Sequence, residues 1–294
     1  MKQALTYAEA DPDAQGPMPF QAAEDYACTV MGWARLPLGD GVEIHRGLAY
    51  GPHRLHRYDV FRPARARRAP VVVFWHGGGW TNGYREYNAF MAPALAAMGC
   101  VLVSPSYRLV REAPLPAGFE DALALLAHLA AHAQEWGGDP AALFLSGHSA
   151  GAQLAALATL RLADRARHGI PEGSIRACLP ISGILDLSHP APPPGTLEER
   201  VYTQVLERPE LDAVMSPICW TAGNRVPFSL WYGEHDSERV RRSNERMHQL
   251  LLLQPGGSEL HRLPGHDHFR THTSLRDPDH PWYARLAALV EECR

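Results

Sequence analysis

FLSGHSAGAQLA, residues 144 to 155, passes directly from an apolar run typical of a strand into a run of helix-forming residues. Ser149 lies at the junction, between Gly147 and Gly151. So abrupt a change of direction crowds the backbone, and small neighbours relieve the crowding. The pattern predicts a sharp turn that exposes the serine hydroxyl above the edge of a sheet. The alternative is a glycine-flanked turn with Ser149 as an ordinary helix N-cap, since serine is favoured there.

A glycine-rich segment, HGGGW (residues 76–80), directly follows the apolar run VVVFW. Attack of a serine on an acyl carbon places negative charge on the carbonyl oxygen, and fixed backbone N–H groups stabilise that charge. Glycines allow the backbone to approach closely. The two motifs in this order predict an oxyanion hole formed by the N–H groups of Gly78, Gly79 and Ala150. The alternative is a flexible glycine turn at the end of a strand.

A nucleophilic serine needs a base, and the base needs an orienting carboxylate. With the serine on a strand-to-helix turn, the acid and then the histidine are expected to follow in the chain. The loop GEHD supplies Glu234 and Asp236, and Asp186 follows an earlier strand-like run. We favour Asp236 because it lies near the start of the next helix, and interpret the other two as a solvated loop charge and a turn or cap residue. His266 and His268 both remain candidates for the base at this point.

Apolar strand-like runs alternate with Ala- and Leu-rich helix-like runs along most of the chain. This alternation predicts an α/β fold with a mostly parallel central sheet of about eight strands and helices on both faces. The first two strands are polar and close together, so we expect an antiparallel edge. Strands are predicted near 42–50, 55–61, 71–75, 100–104, 143–147, 177–182, 227–232 and 257–263. Helices are predicted near 86–98, 116–135, 150–168, 238–254 and 282–293.

Two stretches fall outside this alternation and are predicted to form lid or cap material over a site. The first is residues 1–40, and the second is a proline-rich insertion near 188–212. The prediction is therefore one catalytic domain over residues 41–294, preceded by an N-terminal segment that forms a lid.

Composition and charge limit the partners of the chain. With 294 residues, 46% hydrophobic and 20% charged, it has a globular composition. A net charge of −4 gives no reason to expect nucleic acid or an anionic membrane as a partner. The five scattered cysteines and the absence of a basic, apolar leader favour a soluble cytoplasmic protein. We expect a small-molecule substrate and no cofactor, and leave the oligomeric state open, with a homodimer as one possibility.

Aromatic side chains near the motifs are candidates for the walls of a substrate pocket. Trp80, Tyr84 and Trp220 are predicted as substrate-binding residues, with Tyr107 as a further candidate. For each of them, a place in the hydrophobic core is an equally reasonable interpretation.

Arginines and histidines near the motifs suggest further sites. Arg85 and Arg108 are placed to meet a substrate carboxylate, although a structural or solvated role is favoured for both. His128 and His132 have the i, i+4 spacing of zinc helices, but the glutamate of HExxH is missing. Because a complete serine triad needs no water-activating ion, no metal is expected.

The motifs HGGGW, GHSAGA, GEHDS and HDHF together resemble the α/β-hydrolase fold. The similarity is to the branch that contains hormone-sensitive-lipase-like carboxylesterases and kynurenine formamidases (arylformamidases), and it covers about residues 45–290. The resemblance implies Ser149 as the nucleophile, Asp236 as the acid and His268, followed by Phe269, as the base.

Several details resemble the formamidases more than the esterases. The lipase-like esterases usually have GDSAGG instead of GHSAGA, and SGILDL is similar to the formamidase segment SGIYDL. At Gly79 the chain matches the esterases, since formamidases usually have tyrosine there. We therefore expect a serine hydrolase that cleaves a small formamide or ester through an acyl-enzyme. The favoured interpretation is an arylformamidase that acts on N-formylkynurenine-like substrates. The alternatives are a general short-chain carboxylesterase and a non-catalytic binding module on the same fold.

Overall fold

A computed structural model describes residues 15–293 of the chain. The part of the predicted N-terminal lid before residue 15 lies outside the described residues. Eight strands are present: β1 Val42–Ala49, β2 Arg57–Pro63, β3 Ala69–Trp75, β4 Val101–Pro105, β5 Gly138–His148, β6 Ile175–Ile181, β7 Phe228–Gly233 and β8 Ser258–Leu263.

The α-helices are α1 Gln21–Ala34, α2 Ala92–Ala97, α3 Ala117–His132, α4 Ala150–Leu160, α5 Leu162–Arg167, α6 Leu197–Arg200, α7 Glu238–Leu252, α8 Arg270–Thr273 and α9 Pro281–Glu292. Short 3₁₀ turns span Arg85–Met91, Ala133–Trp136, Pro209–Leu211, Pro217–Trp220 and Ser274–Arg276, and a π-turn spans Val201–Val205. No helix within residues 15–293 combines the length and the apolar character that crossing a bilayer requires.

The strands form one sheet in the order β1-β2-β4-β3-β5-β6-β7-β8. β1 pairs with β2, and β2 with β4, in antiparallel fashion, and all other neighbours are parallel. The predicted sheet of about eight strands with an antiparallel edge is therefore confirmed.

Burial on both faces explains why the central strands are apolar throughout. Along β3, Val71, Val73 and Trp75 pack into one hydrophobic core, whereas Val72 and Phe74 pack into the other. The first core is completed by α3, α4 and α7, and the second by α1, α2 and α9. The helices therefore cover both faces of the sheet, as predicted.

Two helical segments differ from the sequence-based expectation. α1 lies in the N-terminal stretch for which no helix was predicted, and it buries one stripe against the second core: Tyr26, Ala27, Val30 and Ala34. That spacing is the period of an amphipathic helix. The predicted helix 150–168 is divided at Arg161, whose ψ of 71° is not helical.

The parallel strands end at one edge of the sheet, where ligand sites of open α/β sheets lie. The glycine segment follows β3, the serine turn follows β5, and the acid and histidine loops follow β7 and β8. The topology therefore gathers all four motifs at a single edge.

Candidate active site

Ser149 occupies a strained turn between β5 and α4. Its φ of 55° and ψ of −116° are unusual for a residue other than glycine. The flanking glycines are sterically required. A Cβ at Gly147 would lie 2.5 Å from the backbone carbon of Gly151, and one at Gly151 would lie 2.1 Å from the carbonyl oxygen of Trp75. The sharp turn predicted from the pentapeptide is therefore present, and Ser149 makes no N-cap hydrogen bond from its side chain.

A continuous hydrogen-bond chain joins the predicted nucleophile, base and acid. Nε2 of His268 lies 2.9 Å from Oγ of Ser149, and Nδ1 of His268 lies 2.6 Å from Oδ1 of Asp236. A carboxylate only accepts hydrogen bonds, so the His268 proton sits on Nδ1 and leaves Nε2 free to accept the serine proton. The arrangement can deprotonate Ser149 and stabilise the imidazolium that results.

Asp236 is buried, and its second oxygen is also fully engaged. Oδ2 accepts hydrogen bonds from the Ser182 hydroxyl at 2.6 Å and from the Gly233 N–H at 2.8 Å. Burial on its own raises the pKa of the Asp236 carboxyl, but the hydrogen bonds from His268, Ser182 and Gly233 outweigh it and hold the pKa below the ordinary value. Asp236 is therefore ionised and held in one orientation at neutral pH.

The competing acids and the second histidine lie apart from this chain of hydrogen bonds. Glu234 pairs with Arg262 and accepts the Gly265 N–H, and Asp186 pairs with Arg246. His266 is half-buried, and its Nδ1 lies 2.8 Å from the Pro264 carbonyl oxygen. The structure thus brings Asp236 and His268 together with Ser149, whereas the alternative acids and histidine make contacts elsewhere.

The glycine segment after β3 presents backbone donors beside Ser149. Gly78 has a φ of 125°, and a Cβ there would lie 2.0 Å from the carbonyl oxygen of Asn82, so only glycine fits. Gly79 has a φ of 61° and, like Gly78, lines the same cavity as Ser149. Over residues 15–293, the N–H groups of Gly78, Gly79 and Ala150 have no acceptor within the protein. These donors are available to stabilise an oxyanion.

His148, the residue before the nucleophile, was not singled out from the sequence. Its Nε2 lies 2.8 Å from the carbonyl oxygen of His268, which also accepts the Thr271 hydroxyl at 2.7 Å. Its ring stacks on His272, with centroids 5.2 Å apart. Burial, and then the neighbouring His268 and His272, lower the pKa of His148 well below its ordinary value. His148 is therefore a neutral donor that holds the loop carrying the base.

Ser182 is a second residue that was missed. It begins the segment SGILDL, which contributed to the sequence analysis only as a point of resemblance. Its placement at the end of β6, with a φ of 48°, directs its hydroxyl to Asp236. The sequence signal that could have identified Ser182 is its position at the end of a strand that neighbours the strands carrying the motifs.

A cavity of about 730 Å³ opens above Ser149 and His268. One side is formed by Pro17–Phe20 and by α1, and another by the proline-rich insertion, through Gly195, Leu197, Arg200 and Gln204. Both stretches that fall outside the strand and helix alternation thus contribute to the wall of the cavity. Whether they open and close as a lid stays a prediction.

The predicted aromatic walls lie elsewhere. Trp80 is buried, with its indole N–H donated to Gln153, and Tyr84 packs 5.9 Å from the ring of Tyr87. Trp220 is 36% exposed beneath the guanidinium of Arg161. In the part of the wall that the structure describes, none of these three predicted residues lines the cavity.

In the described wall, the cavity is lined instead by the aromatic side chains of Phe20, Tyr26 and Phe269. The rings of Tyr26 and Phe269 stack with centroids 5.0 Å apart, and Phe20 lies 6.1 Å from Phe269. The remaining candidate, Tyr107, is a core residue stacked on His76. The aromatic contacts come from α1 and the histidine loop because the cavity lies between them, which the local sequence around the glycine segment does not reveal.

The two arginines considered for a substrate carboxylate are structural. Arg85 pairs with Asp59 at 3.0 Å, and Arg108 makes several hydrogen bonds to Asp121. His128 lies 3.1 Å from the Tyr58 hydroxyl. Within residues 15–293, no group of three or more His, Cys, Asp or Glu side chains is placed to hold a metal ion.

This sheet order, with a strained serine after β5 and acid and histidine loops after β7 and β8, defines the α/β-hydrolase class. The chain belongs to the family of the alpha/beta hydrolase fold, whose model matches residues 72–269, more than half of the sequence.

Curated relatives include two proteins of Mycobacterium tuberculosis. Esterase LipC is 31% identical over 243 residues, which cover 76% of this chain and 60% of LipC. Carboxylesterase NlhH is 32% identical over 222 residues, which cover 74% of this chain and 60% of NlhH. The chain thus spans only about 60% of the length of these relatives.

Solved structures support the same fold. An esterase from the archaeon Pyrobaculum calidifontis aligns with a TM-score of 0.75 at 24% identity, covering 92% of each chain. Esterase B from Lactobacillus rhamnosis aligns with a TM-score of 0.75 at 18% identity, covering 92% of this chain and 93% of the other.

Proposed function

We propose that the protein is a serine carboxylester hydrolase that cleaves short-chain esters through an acyl-enzyme. The observation that carries the proposal is the hydrogen-bond chain from Ser149 through His268 to Asp236, which opens into the cavity. The names of the curated relatives, esterases and a carboxylesterase, support the ester over the formamide as the substrate.

The reaction follows from the positions of the donors and acceptors. Oγ of Ser149 attacks the carbonyl carbon as Nε2 of His268 takes its proton, and Asp236 stabilises the imidazolium. The N–H groups of Gly78, Gly79 and Ala150 stabilise the negative charge on the substrate oxygen. His268 then protonates the leaving alcohol. A water deprotonated by His268 hydrolyses the acyl-enzyme and regenerates Ser149.

The lack of a side chain at Gly79 supports a pocket that accepts an acyl chain longer than formyl. A Cβ at this position would find no atom nearer than Oγ1 of Thr81, at 3.9 Å, so the position opens onto the cavity. A tyrosine there would occupy that space. We therefore expect butyrate esters to be cleaved measurably as well as acetate esters, and failure beyond acetate would contradict this.

The arylformamidase hypothesis uses the same catalytic steps, and its support is the resemblance at GHSAGA, SGILDL and GEHDS. It differs from the ester hypothesis in which substrate, the formamide or the ester, has the higher kcat/KM. A kcat/KM for N-formylkynurenine about 100-fold above that for 4-nitrophenyl butyrate, about 2.7 kcal/mol of transition-state preference, would establish it. Ester cleavage with negligible formamide cleavage is the result that we expect.

The hydrolase itself is tested with a fluorophosphonate probe, which reacts with activated serines. We expect the wild type and Ser258→Ala, on strand β8, to be labelled and Ser149→Ala to remain unlabelled. Failure to label the wild type would overturn the proposal and favour a non-catalytic binding module.

A further inference from the structure

Two arginines face the cavity that contains Ser149. Arg111 and Arg200 both belong to its wall, and in the described part of that wall there is no aspartate or glutamate side chain. Neither arginine has a carboxylate partner within residues 15–293. By contrast, Arg108, three residues before Arg111, is bound to Asp121. The charged side chains of the described wall are therefore cationic.

The two arginines lie at the same end of the cavity. Nη2 of Arg200 is 3.5 Å from Oγ1 of Thr81. Arg111 packs on Gly16, where a Cβ would lie 1.7 Å from its Nη2, and the carbonyl of Gly16 accepts the Asn82 side-chain amide at 2.7 Å. Thr81 and Asn82 are adjacent and also line the cavity. Both guanidinium groups thus flank the segment that follows the oxyanion glycines.

Other described parts of the wall are mostly apolar. Side chains such as Phe20, Tyr26, Ile184, Val240 and Phe269 surround the remaining space. A cavity with an apolar portion, a reactive serine and one cationic end suits a substrate with the matching distribution of groups. Guanidinium groups present planar forks of donors that match a carboxylate, and walls of low polarity strengthen their field.

We propose that the preferred substrates carry a carboxylate group, which Arg111 and Arg200 bind while Ser149 attacks the ester carbonyl. This rests on the proposed ester hydrolysis and narrows its substrate class. The carboxylate can belong to the acyl part, as in a half-ester of a dicarboxylic acid, or to the alcohol part. Both present the same anionic chemistry to the arginines.

The test compares pairs of esters that differ in charge and only slightly in size. For the acyl side, 4-nitrophenyl hemiglutarate is compared with its neutral methyl ester. For the alcohol side, 3-carboxyphenyl butyrate is compared with 3-carbamoylphenyl butyrate. We expect one anionic member to have a kcat/KM about 10-fold above that of its neutral partner, mainly through a lower KM. Which pair shows the preference identifies the part of the substrate that carries the carboxylate.

The arginines are then replaced singly. Arg111→Met and Arg200→Met are each expected to lower the anionic-to-neutral ratio of kcat/KM about 3-fold, so that the two arginines together account for the 10-fold preference, since a hydrogen bond makes a net contribution of about this size. The lysine variants should retain part of the preference. Arg208→Met, an exposed arginine of the same insertion outside the cavity wall, is the matched control and should keep the wild-type ratio.

The two proposals fail in different ways. Absence of hydrolysis of all four esters would reject the proposed function. Hydrolysis that depends on Ser149 but shows no anionic preference in either pair would reject only the carboxylate proposal. An anionic preference that survives both methionine variants would also reject the assignment to Arg111 and Arg200.

Discussion

The contact between His148 and the histidine loop leads to a quantitative prediction. Replacing His148 by methionine introduces an apolar side chain of comparable size and removes the donor that lies 2.8 Å from the His268 carbonyl oxygen. That oxygen keeps its second hydrogen bond, from Thr271. We therefore expect the loss to be about 1–2 kcal/mol, the lower part of the range for an unsatisfied buried group. If the whole of this free energy is lost from the transition state because His268 is misplaced, kcat/KM falls about 5- to 30-fold.

The assay is steady-state hydrolysis of 4-nitrophenyl acetate, with kcat and KM determined separately. The change should appear mainly in kcat, because His268 acts on the reacting proton. His148→Gln is the matched control, since its amide N–H replaces the Nε2–H donor and should restore most of kcat. A merely structural role would lower the melting temperature of both variants without separating their kcat values.

The pH dependence provides an independent check. Burial, followed by the neighbouring His268 and His272, lowers the pKa of His148 well below its ordinary value, so its ring stays neutral at and above neutral pH. The ratio of wild-type to His148→Met activity should therefore be constant between about pH 6 and 9. The reasoning is refuted if His148→Met retains wild-type kcat/KM, or if His148→Gln falls as far as His148→Met.

Three further predictions follow from the same geometry. Asp236→Asn should lower kcat about 10⁴-fold in ester assays by favouring the wrong histidine tautomer. Because the pKa of Asp236 lies below the ordinary 3.8, the stability contributed by its carboxylate is lost as the pH falls through the folded-state pKa, and melting curves below about pH 4 should decline less steeply in the variant. Gly78→Ala places a Cβ 2.0 Å from a loop carbonyl oxygen and should lower kcat about 100-fold. Gly79→Ala meets no close atom, so we expect only backbone strain, which should lower the free energy of unfolding in urea by about 1–2 kcal/mol. A normal kcat in Gly78→Ala would contradict the oxyanion assignment. Burial lowers the pKa of His272 to about 3 and of His76 to about 4, so both are neutral when folded but become protonated in the unfolded chain below about pH 6.5. Urea unfolding should therefore show stability falling by about 1.4 kcal/mol per pH unit for each histidine as the pH drops towards 4, and His272→Asn should reduce that slope.

Much of the fold and the triad geometry could be predicted because the signals are local. Apolar runs of strand length, alternating with helix formers, predicted the order and type of the central elements. Gly147 and Gly78 are required by backbone contacts within their own turns, so the local sequence carries the constraint, whereas Gly151 is required by the carbonyl oxygen of Trp75 on β3. The order of serine, acid and histidine along the chain then limited Asp236 and His268 to a few alternatives.

Residues that act across long separations were not accessible in this way. His148 and the carbonyl that it binds are 120 residues apart, and Ser182 and Asp236 are 54 apart. No local pattern distinguishes such a donor from an ordinary core residue. The prediction of the aromatic wall residues was wrong for the same reason. Trp80 and Phe20 are both large aromatic residues, and only the packing of distant segments buries the first and places the second in the cavity wall.

By itself, the amino-acid sequence determined the sheet, the strained serine turn and the short set of groups that form the triad, because backbone sterics and hydrophobic period act over a few residues. Only the tertiary structure decided which side chains line the cavity and that Arg111 and Arg200, rather than Arg85 and Arg108, face it. The physical reason is that the charge and shape of a cavity come from side chains brought together by the packing of the whole sheet and its helices.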